Sequence, residues 1–165
     1  MPLLAPPLKR RQAKALPPKP SRLNLDTYLP YRLSLASNKV SALIAKAYEM
    51  RFGLTIPQWR MLVVLSEGNA LSQKQLIERT AMDKVTISRA VSALVERGLI
   101  VRTHQAHDRR TDLLSLALSG QEIVRDVTPV ALEFEQTLIE SVDPAHIEIL
   151  HALLHHLEQR ADALK

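Results

Sequence analysis

The chain contains no cysteine, so disulfides, thiolate metal sites and thiol-based redox sensing are excluded. Glycine is nearly as scarce, at four residues. They stand far apart, at Gly53, Gly68, Gly98 and Gly120, so no glycine-rich phosphate loop is present, and long apolar-periodic runs favour a mostly helical fold. Aromatic residues make up only 4% of the chain. They are unevenly placed: Tyr28, Tyr31, Tyr48, Phe52 and Trp59 lie close together in sequence, and Phe134 stands apart. No hydrophobic run approaches the length of a membrane span, and the basic N-terminus lacks the apolar stretch of a secretion signal. The expectation is a soluble cytoplasmic protein without a membrane partner. No serine elbow or strand-end carboxylate pair is present either, which argues against an enzyme.

What remains is enough for one domain, or one domain with an appendage: 165 residues, 46% of them hydrophobic. The net charge of +5 is segregated along the chain. Residues 1–22 carry +6, from Lys9, Arg10, Arg11, Lys14, Lys19 and Arg22 with no acid. Residues 23–120 carry +5, and residues 121–165 carry −6. The acidic C-terminal part is unsuited to lie on phosphate, whereas the first two thirds can.

Residues 1–25 read as a basic, proline-rich, disordered arm, since six of the ten prolines fall between Pro2 and Pro20. Such an arm is either a solvated tail or a source of non-specific phosphate contacts. Folded structure is expected from Asp26 or Thr27 to the end, as a single domain over 26–165. Apolar residues at Leu33, Leu35, Val40, Leu43, Ile44, Ala47 and Tyr48 predict a helix from Leu29 to Phe52, stopped by Gly53. Thr55-Ile56-Pro57 starts a second helix, because proline is tolerated in a first turn. Ser72 with Gln75 is a capping-box pattern for a third helix, and Asp83 caps a fourth. Ser119 with Glu122 has the same pattern and predicts the start of a long fifth helix. Pro129 within it predicts a kink around Arg125–Pro129. Asp143-Pro144 opens the last helix.

The segment 72–120 carries the functional signal. A short helix, a turn at Thr80-Ala81-Met82-Asp83 and a helix from Lys84 to Arg97 are followed by Gly98. The apolar strand Leu99-Ile100-Val101-Arg102, a loop His104–Thr111 and a return strand Asp112–Leu118 complete it. Helix, turn, helix and basic-tipped β-hairpin in this order read as a winged helix-turn-helix. The expected fold class is mainly α, with a two-stranded β-wing and a helical dimerisation region. In the fourth helix Ile87, Val91, Leu94 and Val95 share a core face, leaving Lys84, Val85, Thr86, Ser88, Arg89 and Ser92 outward. Arg89 offers guanine a forked pair of bonds, Thr86 and Ser88 suit phosphate, and Thr86 and Val85 also suit a thymine methyl. Ser72 and Gln73, at the start of the preceding helix, are further candidates. On the loop, Arg109 and Arg110 suit the minor groove, and Asp108 suits pinning an arginine or the loop backbone. A solvated polar helix face and a basic hairpin edge are the structural alternatives for each feature taken alone.

These motifs resemble those of the MarR family of bacterial transcription regulators. Asp108-Arg109-Arg110 with Leu116 and Gly120 is similar to the family's wing signature. Thr86-Ile87-Ser88-Arg89-Ala90-Val91, then Leu94, Gly98-Leu99-Ile100 and Arg102, are similar to its recognition-helix pattern. The resemblance covers residues 26–165 in element order. One departure is Ala117, where the family usually has a threonine that caps the fifth helix; Ser119 and Glu122 are expected to take over that task. Pro129 departs as well.

The resemblance implies a homodimer, with dimerisation helices over 26–53 and 119–165 and a winged-helix DNA-binding part over 55–118. The apolar stripes of the last two helices agree with this independently, among them Leu132, Phe134 and Leu138, then Ile147, Leu150, Leu153, Leu154 and Leu157. It further implies double-stranded DNA with a pseudo-palindromic operator as partner, and repression relieved by a small anion, often aromatic. Leu29–Ser41 resembles branches answering to phenolic or hydroxycinnamic acids or their CoA thioesters. Tyr31, Arg32, Ser37, Asn38 and Trp59 are the candidate effector residues, with Arg32 as carboxylate partner. Core packing of Trp59 and Tyr48, and pairing of Arg32 with an acid, are the alternatives. His146, His151, His155 and His156 lack a completing cysteine or carboxylate, so no metal or cofactor is expected. The competing function is a sequence-tolerant architectural DNA-binding dimer with no effector.

Overall fold

The computed structural model describes residues 22–104 and 112–164. The arm's first 21 residues, and with them five of its six basic residues, lie outside the described residues, as do Asp108, Arg109 and Arg110. The chain divides into one unit ending at Asn38 and a second running from Lys39 to Lys165.

In the first unit a short turn precedes the helix. The Asn24 side chain accepts from the amide of Asp26 (2.9 Å), and the amide of Thr27 reaches the Asn24 carbonyl (3.3 Å). Helix α1, Leu29–Phe52, begins here and continues into the second unit. Its end follows the sequence reading. Gly53 takes the left-handed conformation (φ 60°), for which glycine has no Cβ penalty.

The second unit continues with α2 (Ile56–Ser66), β1 (Leu71–Ser72), α3 (Gln73–Thr80) and α4 (Lys84–Glu96). It closes with β2 (Ile100–His104), β3 (Asp112–Leu116), α5 (Leu118–Ile139) and α6 (Pro144–Asp162). Thr55 caps α2 in a full capping box with Gln58, and Ser72 does the same for α3 with Gln75. Asp143 caps α6, with Pro144 in the first turn.

The sheet has three strands in the order β1-β3-β2, both pairings antiparallel. The predicted wing had two. The third strand is only Leu71–Ser72, placed by the pairing of Leu71 with Leu114 and Ser72 with Leu113. Two residues carry no readable period-2 pattern, so this strand is decided by tertiary pairing.

The fifth helix corrects the expected capping box. It begins at Leu118, its N-cap is Ala117, and no side chain caps it. Ser119 is already inside the first turn, and its hydroxyl donates to the Gly98 carbonyl (2.6 Å). The amide of Ala117 donates to the Leu99 carbonyl (3.0 Å). A tertiary anchor thus replaces a local cap. The close approach requires Gly120, because a Cβ there would stand 2.1 Å from the Leu99 oxygen. Helix α5 is continuous through Pro129.

One hydrophobic core holds this unit. Leu54, Met61, Leu62, Leu76, Ile87, Val91, Leu94, Ile100, Leu114 and Val127 are fully buried within it. No polar or charged residue is buried among the described residues. Helix α4 packs against α2, α3 and β2, and α5 against α2 and β3.

Candidate nucleic-acid interface

The recognition-helix reading depends on which face of α4 is free. Ile87 and Val91 are wholly buried and Leu94 equally so, with Ala90 beside them and Val95 half-buried. Those positions recur at helical spacing, and the face they bury turns the other one out. Lys84, Val85, Ser88, Arg89 and Ser92 are all exposed on that face. Val85 is 58% exposed, a high value for a β-branched apolar residue at the start of a helix. Ser92 donates back to the Ser88 carbonyl (3.1 Å), which leaves its hydroxyl lone pairs outward.

Thr86 is half-buried, and its hydroxyl is already engaged. It donates to Asp83 Oδ2 (2.6 Å), while its amide donates to Asp83 Oδ1 (2.9 Å). These bonds favour the ionised carboxylate and hold Asp83 below its ordinary value, the Thr86 hydroxyl being the largest cause. The Thr86 hydroxyl proton is therefore committed to the cap and is not available for donation to DNA.

The turn before α4 is built from a residue in a strained region. Ala81, φ 52°, is the one non-glycine residue in left-handed conformation among the described residues. Thr80 stabilises the same turn, donating its hydroxyl to the Leu76 carbonyl (2.6 Å) and accepting from the Met82 amide (3.4 Å). Ser72 is occupied by its capping box, with its hydroxyl 2.9 Å from Gln75 Oε1. Gln73 is half-buried in the first turn of α3.

The tip of the wing, with Asp108, Arg109 and Arg110, is outside the described residues, but its base is not. Asp112 stands opposite His104 in the ladder. Its carboxylate lies 2.6 Å from His104 Nδ1 and 3.6 Å from Arg102 Nη1. The sequence reading treated Asp112 only as a strand residue and sought the pinning acid at Asp108. The cross-strand register, which depends on loop geometry, is what makes Asp112 a clamp.

Arg97 is the second residue that sequence reasoning missed. Its Nη1 donates to the Gly53 carbonyl (2.7 Å) and its Nη2 to the Phe52 carbonyl (3.0 Å). The contact spans more than 40 residues of sequence and leaves no local signal.

The candidate effector residues divide between the two units. Tyr31, Arg32, Ser37 and Asn38 are exposed on the first half of α1. Trp59 is half-buried on α2, its ring 5.1 Å from that of buried Tyr48 and tilted by 52°. Burial raises the Tyr48 hydroxyl above its ordinary value. Trp59 also borders an open cavity of about 370 Å³ with Arg60, Val63, Val64, Arg79 and Thr80. A second cavity, about 410 Å³, lies between the Leu65–Ala70 turn, β3 and the start of α5, with Gln121 and Arg125 on its wall. No group of three metal-ligating side chains occurs among the described residues. No helix among them is long and apolar enough to cross a membrane.

A helix-turn-helix whose second helix exposes a basic and hydroxylated face, followed by a β-wing, defines a winged-helix DNA-binding protein. The comparisons with known proteins narrow the class. The model of the MarR family matches residues 52–111, the stretch from the end of α1 to the wing. A probable transcriptional regulator from Pseudomonas aeruginosa is 34% identical, with a TM-score of 0.72, covering 81% of this chain and 99% of its own. A MarR/EmrR family transcriptional regulator from Acinetobacter sp. ADP1 is 28% identical, with a TM-score of 0.79, covering 86% of this chain and 99% of its own. BpsR of Bordetella bronchiseptica, whose DNA binding is regulated by 6-hydroxynicotinic acid, shares the fold at 24% identity. Its TM-score is 0.71 over 79% of this chain and 98% of its own. The chain belongs to the MarR family of DNA-binding transcriptional regulators.

Proposed function

We propose that the protein is a homodimeric repressor that binds a pseudo-palindromic operator and is released by a small aromatic carboxylate or its CoA thioester. The observation that carries the DNA-binding half is the free face of α4. Lys84, Val85, Ser88, Arg89 and Ser92 are exposed together while the opposite face is locked into the core. Arg89 reads guanine, Val85 and the Thr86 methyl read thymine, and Lys84 with the two serines meets phosphate. Ser72 and Gln73 contribute backbone contacts from the start of α3. Arg109 and Arg110 enter the minor groove from the wing, with Asp108 pinning the loop.

In this reading residues 1–25 are an arm, 26–53 and 119–165 form the dimer, and 55–118 bind DNA. The state of α6 supports the dimer. None of its residues is buried, and Ile149, Leu150 and Leu153 are between 49% and 56% exposed. Leu132 and Leu138 on α5 are exposed too. A surface this apolar needs a partner, and a second copy provides one with matching stripes. Two winged helices related by a two-fold axis imply half-sites about 10 base pairs apart.

The effector half rests on the clustered aromatics and on Arg32, whose fork matches a carboxylate. On the first half of α1, Tyr31 would supply a ring and Ser37 and Asn38 hydrogen bonds; Trp59 on α2 is a separate candidate ring. BpsR sets a precedent within the fold for control by an aromatic acid.

The test is selection of genomic fragments of the source organism by the purified protein, followed by footprinting. A protected palindrome, released by aromatic acids named by the adjacent genes, is the expected result. Binding without site preference would overturn the repressor reading in favour of an architectural role.

A further inference from the structure

We propose that Arg97 is a positioning residue for sequence-specific DNA binding: its guanidinium fixes the angle at which α4 is presented by holding the end of α1. The proposal rests on the regulator reading above.

A helix leaves its last carbonyls without helical partners, and those groups carry the negative end of its dipole. At the end of α1, the amides of Gly53 and Leu54 fold back to the carbonyls of Glu49 (2.9 Å) and Tyr48 (3.3 Å). The Phe52 and Gly53 carbonyls then point onward, and the two ends of the Arg97 fork take one each, at 3.0 and 2.7 Å. Arg97 is itself the C-cap of α4, with helical φ and ψ, and its amide donates to the Ala93 carbonyl. Only the side-chain torsions of Arg97 itself therefore lie between the axis of the recognition helix and the guanidinium.

The next two residues complete the junction. The Gly98 carbonyl accepts from Ser119 and the Leu99 carbonyl from the amide of Ala117, both at the start of α5. Three consecutive residues thus fasten the end of α4 to α1 on one side and to α5 on the other. The α5 side is the tighter one, because the Ala117–Leu99 bond joins backbone to backbone and Gly120 sits against the Leu99 carbonyl with no room for a Cβ. The α1 side depends on one exposed, flexible side chain. A displacement of α1 is delivered to α4 through that fork. Lysine cannot replace it, since a single ammonium lacks the planar pair of donors.

The test compares the full-length wild type with Arg97→Lys and Arg97→Ala. Each is titrated against a duplex selected by the wild-type protein and against a scrambled duplex of equal length, and the thermal midpoint is recorded. Both variants should lose roughly 5-fold or more in affinity for the selected duplex, the scale of a typical coupling free energy. Binding to the scrambled duplex should be unchanged, and Arg97→Lys should keep a thermal midpoint near wild type without recovering specific affinity. Rescue by lysine, or equal losses on both duplexes, would mean that Arg97 acts as a plain positive charge and would overturn the proposal. Wild-type affinity in Arg97→Lys and Arg97→Ala would overturn it as well. A wild-type protein that treats the two duplexes alike would instead remove the regulator reading, and with it the angle that Arg97 is argued to set.

Discussion

Gly120→Ala sets two effects of opposite sign against each other. Gly120 lies in the first turn of α5 with no positive φ, so helix propensity alone predicts a gain of up to about 1 kcal/mol from alanine. The surroundings predict the reverse. An added Cβ would stand 2.1 Å from the Leu99 oxygen, 3.1 Å from the Leu99 carbon and 3.3 Å from Leu116 Cδ2. Two of these three are backbone atoms that no rotamer change can move. Relief requires α5 to withdraw from Leu99 by about 1 Å, given ordinary carbon–oxygen contact distances. That withdrawal stretches the Ala117–Leu99 and Ser119–Gly98 hydrogen bonds together. Overpacking costs about 1–3 kcal/mol and each lost hydrogen bond about 1 kcal/mol. After subtracting the propensity gain, the net loss is about 2–4 kcal/mol. For a chain of this size the thermal midpoint should fall by on the order of 10 °C. Urea denaturation at fixed protein concentration measures the change, with the slope checking that the unfolding reaction is the same. An unchanged or raised midpoint would refute the reasoning and show that the α5–Leu99 junction yields easily.

Three further outcomes follow from the interface. Arg89→Ala should relax selectivity at one base pair by about 1–3 kcal/mol while leaving other positions unaffected, read by binding to a panel of single-base operator variants. Unaltered selectivity would remove Arg89 from base readout. Asp83 is held below its ordinary value in the folded state, so its stabilisation is complete above the carboxylate range and is lost as pH falls through the lowered value. The stability difference between wild type and Asp83→Asn should therefore hold above about pH 4 and shrink on acidification below it, and a pH-independent difference would contradict the cap's ionic character. Asp112→Ala breaks contacts at the base of the wing whose partners are partly or largely exposed, so stability should fall by less than about 1 kcal/mol. A larger loss in the thermal midpoint would show that the clamp holds more than the wing.

Local chemistry accounts for what was legible in the chain. Gly53 ends α1, Ser72 with Gln75 starts α3, and Asp83 starts α4, each through contacts no more than four residues long. The buried face of α4 follows from apolar spacing alone, and with it the exposed set that includes Val85 and Arg89. The order of these signals was enough to place the chain in its family.

The tertiary structure decided the rest wherever a contact joined distant residues. Ser119 and Glu122 have the pattern of a cap, but the docking of Ala117 and Ser119 onto Gly98 and Leu99 starts α5 earlier and uses the serine elsewhere. The strand at Leu71–Ser72 exists only because Leu113 and Leu114 lie opposite it. Asp112 becomes a clamp through register, and Arg97 a strut through folding that brings it to Phe52 and Gly53. A local motif states which hydrogen bonds a residue is able to make. Where a long-range partner competes for the same donor, only the folded chain decides which bond forms, because the core places that partner within reach.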